Sequence, residues 1–297
     1  MNDKISVIIP TYKRYDLLER AIKSVIKQSY KNLEIIVVDD NANFPEIRKK
    51  TEEIVKRYPK IIYIKNKKNI GGGPTRNVGI KRATSKYLVF LDDDDEFLPE
   101  KIEKQYNLFK SLRNDKIGMI YCYVDNYDES GKFISTNKKD FEGCCLYEHL
   151  CYFVATTSCW FCPKKVLEDV GMFDDIPSQQ DTTLLLKMLG MGYEVYRVPE
   201  VLLKWYFHDK NSGITTISDA YIQNIKSYQD LARIYYNKLS KSQIRSVEYR
   251  FHNQLCNLYM QNKNKKEAYL EISKMFKIFP WGARVYNNLF KIMRIKK

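Results

Sequence analysis

The sequence YLVFLDDDD spans residues 87–95 and joins a short apolar run to four consecutive aspartates. A run that is apolar at every position fits a strand buried on both faces, as in a parallel sheet. The aspartates follow directly, so they mark the end of this strand. In open sheets of parallel strands, ligands bind beside the carboxyl ends of the strands. This stretch therefore predicts an α/β protein with an acidic ligand site at the edge of its sheet.

Strand-like and helix-like segments alternate upstream of this stretch. Three further apolar runs predict strands, at residues 4–9, 33–38 and 61–64. The segments between them predict helices, because their apolar residues recur at helical spacing, at residues 15–29, 46–58 and 75–84. This β-α-β-α-β order predicts a mostly parallel sheet with helices on both faces.

The alternation weakens after residue 110. Further strands are predicted at residues 117–124, from 132 onward, and at 154–162, 193–198 and 201–207, with a helix at 181–191. From residue 218 the spacing is helical, with predicted helices at about 242–261, 265–279 and 283–294. We therefore expect an α/β domain at residues 1–217, with halves at 1–110 and 111–217, and a helical extension at 218–297.

The net charge of +14 is concentrated in that extension. Residues 218–297 contain 16 Lys and Arg against 5 Asp and Glu, a net charge of +11, whereas residues 1–217 carry +3. A basic segment of this kind favours phosphate-rich partners, either nucleic acid or an anionic membrane face. No nucleic-acid-binding motif is recognisable, which argues against nucleic acid. A solvated helical face rich in lysine is the remaining alternative.

Two features predict a cytoplasmic protein. The longest apolar runs are about six residues, whereas a membrane span needs roughly 18, and the N-terminal stretch MNDKISVIIP lacks a signal-peptide cleavage pattern.

The seven cysteines are odd in number, and the adjacent Cys144 and Cys145 cannot easily bridge each other. Cys159 and Cys162 have metal or redox spacing but no second pair follows them, so we expect buried free thiols.

Polar clusters follow three of the predicted strands, at residues 11–14, 39–41 and 92–95. Strand-end placement brings them to one rim of the sheet, although turn formation is the alternative for each cluster alone. Carboxylates suit Mg²⁺ and Mn²⁺, which bind through one or two carboxylates plus substrate phosphates. If the strand geometry continues, Asp92 and Asp94 share one face and Asp93 and Asp95 share the other.

A glycine run at residues 71–73 precedes Arg76, close to a predicted helix start. A helix N-terminus and a guanidinium group both favour phosphate. The run has neither the Walker pattern nor the GxGxxG spacing of dinucleotide-binding proteins. Arg76 is therefore a candidate diphosphate ligand, with a surface salt bridge as the alternative.

Taken together, these segments resemble the family 2 glycosyltransferases, inverting enzymes with the GT-A fold that use nucleotide sugars. The resemblance covers about residues 4–210, and it is carried by ISVIIPTYKR (5–14), EIIVVDDN (34–41), Asn69 and Gly71, TRNVGI (75–80), YLVFLDDDD (87–95), VGMFD (170–174), Gln180 and Asp181, Gly192 and Tyr193, and His208.

The resemblance implies a role for each matching residue. The nucleotide is expected to contact Pro10, Thr11, Tyr12, Arg14, Asp39 or Asp40, Arg76, Asp92 and Asp93. The metal ligands are expected to be Asp94 and His208, with Asp92 as a further candidate. The sugar or acceptor is expected beside Asp92, Trp160 and Gln180, which stands where glutamate is common. Asp181 matches the catalytic aspartate, with a helix N-cap as the alternative role.

The implied activity is inverting transfer of a sugar from a nucleotide sugar, with UDP expected, in surface polysaccharide or glycan synthesis. The acceptor is a hydroxyl of a saccharide or of a lipid-diphosphate-linked saccharide, and the cofactor is Mn²⁺ or Mg²⁺. Residues 1–110 are then the nucleotide-binding half and 111–217 the acceptor-binding half. A catalytically silent scaffold is the competing function, although the intact aspartates argue against it. A sugar nucleotidyltransferase would need a basic N-terminal triphosphate loop, which is not evident.

The helical extension is expected to contact an anionic membrane, on the inner face of the plasma membrane. The residues that suggest this are Lys263, Lys265, Lys266, Lys274, Lys277, Phe279 and Trp281. Ordinary helix packing or homodimerisation through the same helices is the alternative.

Overall fold

The computed structural model of the protein describes residues 3–207 and 218–294. These residues form two compact units. The first unit contains residues 3–145, 154–176 and 180–207, and the second contains 146–153, 177–179 and 218–294. The predicted boundary at residue 217 differs from this division in two segments, 146–153 and 177–179, which group with the C-terminal helices.

A nine-stranded sheet is the centre of the first unit. Its strands are β1 (Ile5–Thr11), β2 (Leu33–Asp39), β3 (Ile62–Lys65), β4 (Tyr87–Phe90), β5 (Glu96–Phe97), β6 (Ile117–Tyr127), β7 (Phe133–Asn137), β8 (Phe161–Pro163) and β9 (Glu194–Tyr206). The strand order is β3-β2-β1-β4-β8-β6-β9-β5, and β7 pairs with β6. Strands β1 to β4 are parallel where they pair, whereas β8 is antiparallel to both of its neighbours.

The helices are α1 (Tyr15–Ile26), α2 (Pro45–Lys56), α3 (Gly72–Arg82), α4 (Lys101–Leu112), α5 (Leu146–Cys151), α6 (Lys164–Asp169), α7 (Gln180–Gly190), α8 (Asp219–Arg233), α9 (Lys241–Gln261), α10 (Lys265–Ile278) and α11 (Ala283–Arg294). Helices α5 and α8 to α11 belong to the second unit, and the others to the first. Helix α1 shows why these segments fold as they do, because its apolar residues Leu18, Ile22 and Val25 lie on one face and are completely buried.

The structure confirms the alternating first half and corrects three local predictions. Within the predicted strand at 154–162, residues 157–159 form a short 3₁₀ helix, and β8 begins only at Phe161. The two strands predicted on either side of Pro199 are one strand, β9, which absorbs the proline through register shifts against β6. Helices α5 and α6 were not predicted, because six residues are too few for a clear helical period.

The second unit has its own core. Its completely buried apolar side chains include Ile225, Cys256, Met275, Val285 and Ile292, which come from four helices. Helix α9 begins at a capping box formed by Ser240 and Gln243. The seven cysteines of the chain are all free, as the sequence predicts. None of the described helices combines the length and apolar character that a membrane crossing needs.

Candidate functional site

The ends of β1, β2 and β4 bring the three polar clusters together. Strand pairing aligns Thr11 with Asp39, so β1 and β2 end side by side. The backbone N–H of Tyr12 donates to Asp93 Oδ2 at 3.1 Å. The N–H of Lys13 donates to Asn41 Oδ1 at 2.7 Å. The first cluster therefore contacts both of the others, as strand-end placement predicts.

The four aspartates do not alternate as a strand would place them. The N–H of Asp95 donates to the carbonyl oxygen of Asp92 at 3.1 Å, so the chain turns here. Because of this turn, Asp93 and Asp94 both face Arg14, whose Nη1 lies 3.5 Å from Asp93 Oδ1 and 2.5 Å from Asp94 Oδ2. The prediction that Asp92 and Asp94 share one face, with Asp93 and Asp95 on the other, is therefore wrong.

The remaining two aspartates face different partners. Asp92 accepts a hydrogen bond from Arg76. Asp95 is completely buried and accepts from Ser158 Oγ at 2.6 Å, while its other carboxylate oxygen has no hydrogen-bond partner among the described residues. Asp95 therefore anchors the turn from inside the protein.

Burial makes two of the four aspartates costly to ionise. Burial, and then the charge of Asp94, raise the pKa of Asp93 to about 7. Burial also raises the pKa of Asp95 well above its usual range, and Asp94 and Asp92 add to this effect. A cation placed at this turn would lower the cost of the crowded carboxylates.

Arg76 lies at the start of α3. This helix follows Gly71, whose φ of 82° is in the left-handed region that favours glycine. The guanidinium of Arg76 binds Asp92, donates to Gln180 Oε1 at 3.3 Å and lies 5.6 Å from the ring centre of Phe173. Burial alone would lower the pKa of Arg76, but Asp92 and then Asp181 raise it above its usual value.

Trp160 does not reach the site surface. Its side chain is completely buried, its Nε1 donates to the carbonyl oxygen of Ala155 at 3.1 Å, and its ring stacks on Phe173 at 6.2 Å. The expectation that Trp160 contacts the sugar or acceptor is therefore corrected, because the side chain has no exposed surface. It supports Phe173, which in turn lies beneath Arg76.

Asp181 lies in the first turn of α7, beside Gln180 and within electrostatic reach of Arg76. Burial raises the pKa of Asp181, whereas a 2.8 Å hydrogen bond from the N–H of Thr182 and the charge of Arg76 act in the opposite direction. The residue as a whole is partly exposed. Asp181 is thus a carboxyl group at the rim of the site whose affinity for a proton is increased.

The two aspartates that end β2 have different surroundings. Asp40 accepts hydrogen bonds from the side chains of Asn66 and Asn69 and from the N–H groups of Ile70 and Gly71, at 2.8–3.0 Å. Asp40 therefore holds the loop that leads into α3.

Asp39 is also completely buried. It accepts a hydrogen bond from Tyr63 and another, at 2.7 Å, from the N–H of Asn41, and Arg48 Nε lies 3.4 Å away. Asp39 therefore links the end of β2 to Tyr63 and Arg48, and its side chain, like that of Trp160, has no exposed surface for the expected contact with a base.

An aromatic pair lies next to these aspartates. Tyr12 is 40% exposed, and its ring meets the edge of Phe44 at 5.9 Å. The Nζ of Lys13 lies 4.1 Å from the centre of the Phe44 ring. Pro10, by contrast, lies within β1 and pairs in register with Val38. Phe44 was not among the predicted site residues, because a single aromatic residue three positions after Asn41 forms no recognisable motif.

Arg20 is another site residue that sequence reasoning missed. Its guanidinium donates to the carbonyl oxygen of Asp94 at 2.5 Å and stacks on the ring of Tyr206 at 3.8 Å. It therefore holds the aspartate turn from the side of α1. A single arginine within an amphipathic helix gives no signal of such a contact.

The side chains at the aspartate turn fit a divalent cation by their chemistry, because carboxylate oxygens are the ligands that Mg²⁺ and Mn²⁺ prefer. The raised pKa of Asp93, caused by burial and by the charge of Asp94, points the same way, because a nearby cation would favour the ionised carboxylate. Asp94 is the candidate ligand at the turn, whereas the carboxylate of Asp92 is held by Arg76. Within residues 3–207 and 218–294, no group of three or more His, Cys, Asp or Glu could hold a metal ion by itself. His208 lies outside the described residues.

Comparisons with known proteins agree with this arrangement. The pattern of the family described as Glycosyl transferase family 2 matches residues 6–171. An uncharacterized glycosyltransferase of Methanocaldococcus jannaschii is 29% identical over 245 residues, which are 79% of this chain and 80% of that protein. One of Rickettsia typhi is 30% identical over 250 residues, 81% of this chain and 74% of that protein.

Two solved structures share the fold. The S. aureus protein TarS (residues 1–349), in complex with UDP-GlcNAc, has a TM-score of 0.61 and 14% identity, over 92% of this chain and 91% of that one. The mannosyltransferase PcManGT of Pyrobaculum calidifontis, in complex with GDP-Man and Mn²⁺, has a TM-score of 0.57 and 15% identity, over 98% and 79%. The protein therefore belongs to glycosyl transferase family 2, and it is a glycosyltransferase with the GT-A fold.

Proposed function

We propose that this glycosyltransferase moves a sugar from a nucleotide sugar to an acceptor hydroxyl with inversion, and that Asp181 is the general base. The observation that carries the proposal is the meeting of Arg76, Asp92 and Asp181 at the rim of the sheet. A cation that binds phosphate and a carboxyl group with a raised pKa lie at one site, and transfer from a diphosphate needs both.

The donor is a nucleoside diphosphate sugar, with UDP as the favoured nucleotide. Two structures of the same fold were solved with UDP-GlcNAc and with GDP-Man, which supports this donor class without selecting the base. Tyr12 is 40% exposed and pairs with Phe44, which offers aromatic surface on which a base could stack. The acceptor is a hydroxyl of a saccharide or of a lipid-linked saccharide, and its product enters surface polysaccharide or glycan synthesis.

The reaction is a single displacement. Asp181 accepts the proton of the acceptor hydroxyl as that oxygen attacks the anomeric carbon. The new glycosidic bond forms while the bond to the diphosphate oxygen breaks, and the electron pair leaves with the nucleoside diphosphate. Asp92 and Gln180 position the guanidinium of Arg76, which stabilises the negative charge that develops on the departing diphosphate. One displacement inverts the carbon, so an α-linked donor gives a β-linkage.

Asp94 would hold a divalent cation at the aspartate turn. When bound, Mn²⁺ or Mg²⁺ supplies positive charge to the departing diphosphate. Arg14 forms an ion pair with Asp94 in the described structure. Arg14 would therefore have to share or release this carboxylate when the cation binds.

A donor screen tests the proposal. Purified protein is incubated with several UDP-, GDP- and TDP-sugars, and release of the nucleoside diphosphate is measured, while calorimetry measures UDP binding with and without Mn²⁺. We expect hydrolysis or transfer with one donor, loss of metal-dependent binding in Asp94→Ala, and intact nucleotide binding with lost transfer in Asp181→Asn. Full transfer activity of Asp181→Asn with the cognate acceptor would overturn the assignment of the base. A protein that binds no nucleotide at all would instead be a silent scaffold.

A further inference from the structure

Helix α11 carries apolar side chains on two of its faces. Val285 and Ile292 are completely buried in the core of the second unit. Tyr286, Phe290 and Met293 follow one another at spacings of four and three, so they form a separate stripe, and they are 46%, 52% and 68% exposed. A surface helix usually has polar residues on the face away from its core. The second stripe therefore presents apolar surface to solvent.

The turn before α11 extends the apolar stripe. Trp281 is 89% exposed, although a tryptophan of a monomeric protein is usually largely buried. The hydroxyl group of Tyr286 donates to the carbonyl oxygen of Pro280 at 3.0 Å, so the turn and the first part of α11 are held together. Trp281, Tyr286, Phe290 and Met293 are named here the apolar stripe.

Phe279, which the sequence suggested for the same purpose, has a different position. It lies edge-on to Tyr249 at 5.4 Å, and the guanidinium of Arg245 lies over its ring at 5.0 Å. Phe279 therefore helps to fix the turn on α9. Trp281 and Met293, which both belong to the apolar stripe, are the two most exposed large apolar side chains of the described second unit.

Positive charge accompanies the apolar stripe. Residues 272–294 contain five Lys and Arg and no Asp or Glu. Arg284 and Lys291 are seven residues apart on α11 and therefore lie on the same side of the helix, where both are exposed. Helical spacing places them at the other edge of the exposed face, with Ala283 and Asn287 between them and the apolar stripe. The exposed face thus has one apolar edge and one cationic edge.

This combination selects one kind of partner. Lys274 pairs with Glu271 at 2.8 Å, whereas Lys277, Arg284 and Lys291 are exposed. A second copy of the chain would bring the same exposed cations toward the surface, and residues 272–294 offer no carboxylate to balance them. Nucleic acid would balance the charge but would leave Met293 and Phe290 without an apolar environment. The surface of an anionic bilayer offers both phosphate groups and an apolar layer just below them.

We propose that α11 and the turn containing Trp281 form an interfacial membrane-binding surface. The apolar stripe enters the boundary between headgroups and acyl chains, and Arg284 and Lys291 contact the phosphates of anionic phospholipids. Trp281 suits this boundary, because its ring is apolar and its N–H needs a polar partner. The proposal does not depend on the transfer reaction, since vesicle binding can be measured without donor or acceptor.

Vesicle co-sedimentation of the full chain tests the proposal, with phosphatidylcholine vesicles that either contain or lack phosphatidylglycerol. We expect binding only to the anionic vesicles, weakening as salt is raised, and a blue shift of the tryptophan fluorescence that is lost in Trp281→Tyr. The double variant Arg284→Gln/Lys291→Gln should weaken binding by about tenfold or more, since each cation near a charged bilayer contributes about 1 kcal/mol. Phe290→Ser/Met293→Ser should weaken binding to a similar extent.

Matched controls come from the first unit. Ile26→Ser removes an apolar side chain that is 47% exposed on α1, and Lys86→Gln removes an exposed cation. Both should bind vesicles as the unchanged protein does, and circular dichroism should show that all variants are folded. Equal binding to neutral and anionic vesicles, or binding to neither, would overturn the proposal. The proposal would also be overturned if the same substitutions abolished a dimer, or a complex with polyuridylate, and left vesicle binding unaffected.

Discussion

Arg76 donates a hydrogen bond to Asp92, which joins the second turn of α3 to the loop that follows β4. The same guanidinium donates to Gln180, so three separate segments of the chain meet at one side chain. Arg76 is therefore both a structural link and the buried cation of the candidate site.

Replacing Arg76 by lysine should separate these two roles. A lysine keeps the charge but cannot donate in two directions from a planar group. We expect the KM for the donor to rise about tenfold, because a hydrogen bond between charged groups contributes about 1.5–3 kcal/mol. Steady-state kinetics with the cognate donor would measure the change. Arg82→Lys, an exposed position in the last turn of the same helix, serves as the control. An unchanged KM in Arg76→Lys would remove Arg76 from the donor site.

Gln180→Glu should weaken the donor site by adding charge. Arg76 already faces Asp92 and Asp181, and a third carboxylate would compete with phosphate for the guanidinium. The new group would also lose the 2.8 Å hydrogen bond that Gln180 Nε2 donates to the carbonyl oxygen of Ile176.

The measurement for Gln180→Glu is the pH dependence of the transfer rate. We expect a higher KM for the donor and an acidic limb displaced to higher pH, because the added carboxylate raises the pKa of Asp181 further. Gln180→Met, which is neutral and of similar size, should raise KM without displacing the limb. Tighter donor binding in Gln180→Glu would contradict the inference that Arg76 binds the phosphate of the donor.

The sequence could predict the fold of the first half and could not predict these contacts. Apolar runs and helical spacing depend on neighbouring residues, so β1 to β4 and the helices between them follow from local patterns. The contact of Arg14 with Asp94 depends on how two distant loops meet, which no local pattern specifies. Trp160 shows the same limit, because only the packed structure reveals that its ring lies behind Phe173.

The aspartate turn shows why a correct motif can still give the wrong geometry. Alternation of side chains holds only while the chain continues as a strand. The strand ends at Phe90, and the hydrogen bond from Asp95 to Asp92 turns the chain. The sequence therefore identified the carboxylates but not the direction in which each one points.

Asp181→Asn should lower activity and increase stability at the same time. Loss of a general base typically costs about 10²–10⁴ in rate. Burial raises the pKa of Asp181 in the folded protein, so its contribution to stability is present below the unfolded pKa and is lost as pH rises through the folded pKa. At pH 8 the neutral asparagine should therefore increase the free energy of unfolding, because it removes the cost of an ionised carboxylate in a buried position.

Urea unfolding at several pH values would measure this effect. The difference between the two proteins should shrink as pH is lowered toward about 4, where the unfolded carboxyl group is protonated as well. In the unchanged enzyme, the transfer rate should fall as pH is lowered through the raised pKa of Asp181, because the protonated carboxyl group cannot accept the proton of the acceptor. Asp175→Asn, at an exposed position nearby, should change neither property. A less stable Asp181→Asn at pH 8 would show that the ionised carboxylate is needed for folding.

Asp40→Asn should loosen the loop that precedes α3. Asp40 Oδ2 accepts from Asn69 Nδ2 and from the N–H of Gly71, both at 2.9 Å. An asparagine presents its oxygen to only one side, so its amide N–H₂ would face either this pair of donors or the donors of Asn66 and Ile70. We expect a loss of about 2–3 kcal/mol in the free energy of unfolding, because buried donors are left without acceptors.

Besides lowering the free energy of unfolding of the protein, Asp40→Asn should destabilise the loop before α3 locally. Hydrogen exchange should increase at residues 66–73, and donor binding should weaken because the start of α3 carries Arg76. Asp16→Asn, at an exposed aspartate in the first turn of α1, should cost about 0.5 kcal/mol or less and leave the exchange of residues 66–73 unchanged. If Asp40→Asn exchanged like the unchanged protein in this loop, the hydrogen bonds of Asp40 would not be what holds α3 at the site.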